Sequence, residues 1–209
     1  MKKLTLLQAG VHLAGWIPLA QIILDYFARR LTANPIQAIE QRTGIQALTF
    51  LMFSLACTPL GSVLGWKELY LRRKALGNYG FMYAAIHLAT FVGLDYGFDF
   101  ETILRDTGTK WYIMIGLAAF LLLLPLAVTS FKYWMKRLGK NWKRLHRMVY
   151  VISPLVILHF LLSVKGDLTR LQGNLVQPIL YGLIVGLMLV LRIPSIKNGL
   201  IGLRTRLLG

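Results

Sequence analysis

The chain is 209 residues long, 56% hydrophobic and 15% charged, with a formal net charge of +16 and a single cysteine, Cys57. Its apolar runs recur from end to end rather than gathering into one domain's worth of amphipathic segments, the profile of an integral membrane protein. The lone cysteine excludes an internal disulfide and a thiolate metal site, and a membrane location makes nucleic-acid binding an unnecessary explanation of the basic charge.

A spanning helix needs about 20 mainly apolar residues to cross roughly 30 Å of hydrocarbon. Six segments meet that requirement: 7–27, 45–64, 78–96, 111–130, 146–164 and 176–193. The first follows "MKK" as a signal peptide would, but its apolar stretch outruns a typical h-region and lacks a small-residue cleavage motif, so a retained helix is expected. Between the first two spans, "TANPIQAIEQRTG" (32–44) predicts an outer loop with a short amphipathic helical piece after Pro35, lying at the membrane interface. Pro18, Pro59, Pro125, Pro154 and Pro178 punctuate the spans and are expected as local kinks, because neighbouring helices can re-satisfy the freed carbonyls. No internal repeat is apparent. The expected fold is an all-α integral membrane protein, a six-helix bundle forming one transmembrane domain over residues 1–209.

Charge sets the expected orientation. With both termini cytoplasmic, the inner segments (the N-terminus, 65–77, 131–147 and the tail from 192) hold 17 of the 24 Lys and Arg residues and one acid, Glu68. The outer segments (25–44, 95–110 and 165–175) hold seven basic and seven acidic residues, so the whole net charge falls on one side, as the positive-inside rule requires. The basic loops are expected to touch anionic lipid head groups, and Trp134 and Trp142 to mark the head-group belt. Outside, Asp95, Asp99, Glu101 and Asp106 form an acidic loop of the kind that can steer a partner.

The connections are too short to hold a soluble domain. No glycine fingerprint in a βαβ context marks a dinucleotide site, and no P-loop, HExxH or GxSxG occurs. Substrate chemistry therefore falls to partner proteins, and this chain alone is expected to reduce no substrate.

All four histidines lie in or at the ends of apolar spans: His12 in the first, His87 in the third, His146 and His159 in the fifth. Polar side chains persist in a bilayer only where something repays their burial. Imidazole is a favoured ligand of haem iron, and ligands in helical bundles project inward from facing helices. His87 and His159 both sit deep in the hydrocarbon and are the expected axial pair. His146 sits at the cytoplasmic edge, roughly 20 Å along the helix from His159, where it would serve an inner haem whose second ligand stays open; His12 is the remaining histidine. Thirteen helical steps leave His146 and His159 roughly 140° apart on a straight helix, and Pro154 between them offers a change of winding. The competing reading, a proton or solute transporter, would be expected to bury carboxylates as well; the spans carry only Asp25 and Asp95, at their outer ends.

The runs "LGKNWKRLHRMVYVISPLVILHFLLSVKGD" (138–167), "RRKALGNYGFMYAAIHLATF" (72–91), "ANPIQAIEQRTG" (33–44), "TPL" (58–60) and "HLAGWIPL" (12–19) closely resemble the family of haem-binding membrane subunits of the bacterial methionine sulfoxide reductase system, related to the ferric reductase and NADPH oxidase membrane domains. The resemblance covers nearly the whole chain in order. It implies a b-type cytochrome of the inner membrane, with one or two haem b groups, passing electrons from a cytoplasmic-side donor to MsrP, a periplasmic molybdopterin enzyme that repairs oxidised methionine in proteins. It places the family's ligands on His87, His146 and His159. It implies either membrane quinone or a cytoplasmic flavin reductase as donor, with FMN as a further cofactor. In the broader oxidase group the third helix carries two histidines, whereas this sequence keeps one.

Overall fold

The computed structural model describes residues 5–164, 166–167 and 172–208. The N-terminal "MKK" and part of the expected outer connection 165–175 lie outside the described residues. Among the described residues ten helices follow one another: α1 (Leu6–Phe27), α2 (Pro35–Leu64), α3 (Glu68–Thr90), α4 (Phe100–Thr109), α5 (Trp111–Val128), α6 (Lys132–Leu138), α7 (Lys140–His146), α8 (Val149–Ser163), α9 (Val176–Val190) and α10 (Pro194–Leu208). A π-helical turn, Phe91–Asp95, extends α3. One small antiparallel ladder pairs Gly166–Asp167 with Gln172–Gly173.

Local chemistry explains the starts and stops. Thr5 caps α1 by accepting the Gln8 amide at 3.2 Å. Asn34 caps α2 by accepting the Gln37 amide at 3.1 Å, with Pro35 in the first helical position, where a missing N–H costs nothing. Gly65, at φ 71°, supplies the left-handed C-cap that ends α2. The expected interfacial piece after Pro35 is corrected here: 35–44 forms the first turns of one unbroken 30-residue helix. Cap and proline set its start, and Gly44 continues it. Pro18, Pro59, Pro125 and Pro154 sit inside helices, while Pro178 falls in the first turn of α9.

The centre of the molecule is α2, which supplies residues to three apolar clusters. Leu48, Met52 and Leu55 meet Ile157 of α8 and Val185 and Met188 of α9. Phe50 and Cys57 meet Leu76, Tyr79 and Tyr83 of α3. Leu51 meets Leu123 and Leu126 of α5 and Ile152 of α8. A helix buried on several faces has no polar stripe to give up, which is why α2 reads as a continuous apolar run. Gly80 lets α3 approach closely, since a Cβ there would lie 3.2 Å from the Leu51 amide nitrogen and 3.3 Å from the Ala47 carbonyl oxygen. Peripherally, α1 is pinned to α3 by the Tyr83 hydroxyl, which donates to the Gly15 carbonyl at 2.8 Å.

Among the described residues, α1, α2, α5 and the stretch Lys140–Ser163 are each long and apolar enough to cross a membrane, and α9 with α10, bent by 81°, pass together as a fifth. The expected third span is not among them. Arg72, Arg73, Lys74 and Asn78 dilute the apolar run of α3, whose place is fixed instead by packing on α2. The expected fifth span is interrupted at Arg147–Met148, where Arg147 and Met148 donate to the Arg144 and Leu145 carbonyls in tighter, three-residue bonds. The change of winding between His146 and His159 therefore sits there, while Pro154 stays within α8.

Candidate haem-ligand site

His87 stands near the end of α3 and His159 near the end of α8. The fold brings their rings side by side, with centroids 6.2 Å apart and planes crossed at 77°. Each ring is oriented by one main-chain bond. His87 Nδ1 donates to the Glu40 carbonyl at 3.0 Å, and His159 Nδ1 donates to the Tyr112 carbonyl at 2.8 Å. With Nδ1 as the donor in each ring, Nε2 is the nitrogen left with a lone pair. Metal-bound imidazole is oriented in this way, one nitrogen tied to a backbone or carboxylate acceptor and the other offered to the metal.

The spacing itself tests the fit to an iron centre. Two imidazoles that shared one metal through bonds of about 2.0 Å each would have their ring centres roughly 6 Å apart. The observed 6.2 Å agrees. The pair offers two imidazole nitrogens, and no group of three or more His, Cys, Asp or Glu side chains converges on a metal-sized site among the described residues. This suits haem, whose porphyrin supplies the remaining ligands.

His146 occupies a different setting at the end of α7. Its ring stacks on Trp142, with centroids 4.0 Å apart and planes at 29°. Its Nδ1 donates to the Trp142 carbonyl at 3.1 Å. The indole of Trp142 is itself held by a 2.9 Å bond to the Thr129 carbonyl, so this tryptophan packs on a histidine rather than only marking a head-group belt. His146 Nε2 is buried without a hydrogen-bond partner among the described residues. Arg192 donates to the Tyr150 hydroxyl at 2.6 Å. His12, on α1, is exposed, and its Nδ1 lies 2.9 Å from the Tyr79 hydroxyl. The structure thus pairs His87 with His159 and gives His146 and His12 other partners.

The description "Ferric reductase like transmembrane component" matches residues 43–158, a stretch that includes His87 and His146 and ends one residue before His159. The "Protein-methionine-sulfoxide reductase heme-binding subunit MsrQ" of Herminiimonas arsenicoxydans is 39% identical over 192 residues, covering 91% of this chain and 86% of that protein. The chain belongs to the MsrQ family. The MsrQ of Rhodospirillum rubrum is likewise 39% identical, over 90% of this chain and 88% of its own length. That of Xanthomonas euvesicatoria pv. vesicatoria is 39% identical over 88% and 84%. The MsrQ relatives are named as haem-binding subunits, and the ferric reductase-like family is a transmembrane one.

Sequence inspection missed the two carbonyl acceptors of this MsrQ-family chain, because a main-chain oxygen has no residue signature. Glu40, Gly44 and His87 stand at the same spacing as Tyr112, Gly116 and His159, 72 positions later. The pairs Ala47 and Ala119, and Leu51 and Leu123, keep the same offset. The hairpin of α2 with α3 and the packing of α5 with α8 thus present their histidines to a carbonyl and a glycine in the same spacing.

Proposed function

We propose that this chain is a b-type cytochrome that carries electrons from a cytoplasmic-side donor across the bacterial inner membrane to the periplasmic molybdopterin reductase MsrP, for repair of oxidised proteins. The observation that carries the reading is the His87–His159 pair, its rings 6.2 Å apart with both Nδ1 atoms committed to carbonyls. On this reading His87 and His159 would hold the iron of an outer haem b, and His146 would serve an inner one whose second ligand is open, with His12 the remaining histidine. Bound haem supplies a one-electron Fe(III)/Fe(II) couple.

The chain's own residues do the rest. The carbonyls of Glu40 and Tyr112 hold the imidazoles in one tautomer, and the surrounding apolar helices exclude water. The basic stretch 131–147 receives the donor, either quinol or a flavin reductase, with FMN as a further cofactor in that route. The acidic outer loop around Asp99, Glu101 and Asp106 faces the reductase. Six crossings form one transmembrane domain, with α3 as the third, both termini inside, and α10 turned onto the cytoplasmic face after the 81° bend.

The test is purification with haem supplied, followed by reduction with each donor and re-oxidation by MsrP plus methionine sulfoxide. A low-spin b-type spectrum whose reduced form is discharged only when both MsrP and sulfoxide are present supports the reading. A colourless, folded preparation refutes it.

A further inference from the structure

We propose that Gly44 and Gly116 are paired positioning residues that keep the imidazoles of His87 and His159 crossed by giving each ring access to the carbonyl one helical turn earlier. The proposal rests on the reading of these histidines as haem ligands. Glu40 and Gly44, and Tyr112 and Gly116, stand four residues apart on one helix face. A neighbouring helix's imidazole can reach the first residue's carbonyl only by passing over the second, so a side chain there stands in its path.

The distances bear this out on both sides. A Cβ at Gly44 would lie 3.3 Å from both Cε1 and Nδ1 of His87, and a Cβ at Gly116 would lie 2.7 Å from the same two atoms of His159. The ring atoms met are thus the bonded nitrogen and its neighbour. Neither glycine is required by its backbone, since both lie inside continuous helices. Their role is the space above a carbonyl. The two acceptors arrive from different helices and hold the rings at 77°, so the crossed arrangement is set by main chain on both sides.

Crossed imidazoles have an electronic consequence. Parallel planes donate π density into one of the two iron d orbitals along the axis and split them; crossed planes act on both and leave them nearly degenerate. The ferric low-spin centre then gives a single feature at high g rather than a three-line rhombic spectrum.

The experiment compares the haem-loaded full chain with Gly44→Ala, Gly116→Ala and Gly10→Ala by low-temperature electron paramagnetic resonance and redox titration, with folding checked by size exclusion. Gly10 is the control, since a Cβ there meets nothing within 4 Å. The wild-type chain should show the high-g feature. Gly116→Ala should convert or lose it and shift the midpoint potential; Gly44→Ala should act in the same direction but less, following the looser 3.3 Å fit; Gly10→Ala should leave both unchanged. Should Gly116→Ala fail to fold, Gly44→Ala decides. A rhombic wild-type spectrum, or folded glycine variants that keep the wild-type spectrum and potential, overturns the proposal while leaving haem binding intact. A haem-free arm separates the two readings. In apo protein labelled with 15N-histidine, the rings lost in His87→Asn and His159→Asn should be Nδ1–H tautomers; Nε2–H tautomers overturn the clamps whether or not haem is bound.

Discussion

At the scale of single residues, the site divides into groups that offer a lone pair and groups that aim it. Removing either deep imidazole should have one shared result: His87→Ala and His159→Ala each abolish the same haem, read as loss of one equivalent in a haem-to-protein ratio. His146→Ala should leave that outer haem's spectrum intact, because its ring is stacked on Trp142 rather than on the pair. Away from the site, Tyr83 is fully buried and its hydroxyl ties α1 to α3 through the Gly15 carbonyl. Tyr83→Phe should cost about 1 kcal/mol, the typical net value of a buried hydrogen bond, and appear as faster hydrogen exchange in α1 with the haem spectrum unchanged. The deep imidazoles were legible in the sequence because such groups in apolar runs require a partner. Their acceptors were not, because any residue type carries the same carbonyl; Gly44 and Gly116 were the one visible trace.

At the scale of elements, apolar length located most of the long helices and failed where length and burial diverge. α3 is held by α2 rather than by its own apolarity, and its three consecutive basic residues hide it from a criterion of composition. The short helices escaped for a different reason: α6 and α7 part at Gly139, whose φ is 50°, and α4 depends on a side-chain cap and an ion pair at its ends. α4 begins where Asp99 accepts the Thr102 amide at 3.1 Å and ends where Asp106 meets Lys110 Nζ and the Tyr96 hydroxyl, each at 2.6 Å. The Lys110 ammonium first, then the Tyr96 hydroxyl, hold the Asp106 carboxyl below the usual carboxylate range. Its contribution to α4 is therefore complete above that range and disappears as pH falls through the depressed value. Corrected for the intrinsic pH dependence of exchange, the protection factors of amides 100–110 should fall on acidification through that window, and Asp106→Asn should show the lower protection at neutral pH with that change on acidification abolished.

At the scale of the whole molecule, the distribution of charge carries the orientation. A fluorescent protein fused after Arg206 should fold and fluoresce, which requires the cytoplasm, and an alkaline phosphatase fused within 97–99 should be active, which requires the periplasm. The opposite pair of outcomes would invert the reading. The bundle's centre on α2 could not be read from hydropathy, which ranks segments by apolarity and not by the number of neighbours each one meets. Charge asymmetry, by contrast, is a property of sums over loops, and it stays readable when individual helices are misjudged.

The first helix leaves most of its length uncovered by the rest of the protein. Only Gly15 and Ile22 are buried along α1, its outward side chains include Leu13, Ile17 and Leu24, and the matched family stretch begins after it, at residue 43. A solvatochromic dye attached at Leu13 would accordingly sense the packing of acyl chains around the protein, an optical vantage point on its surroundings.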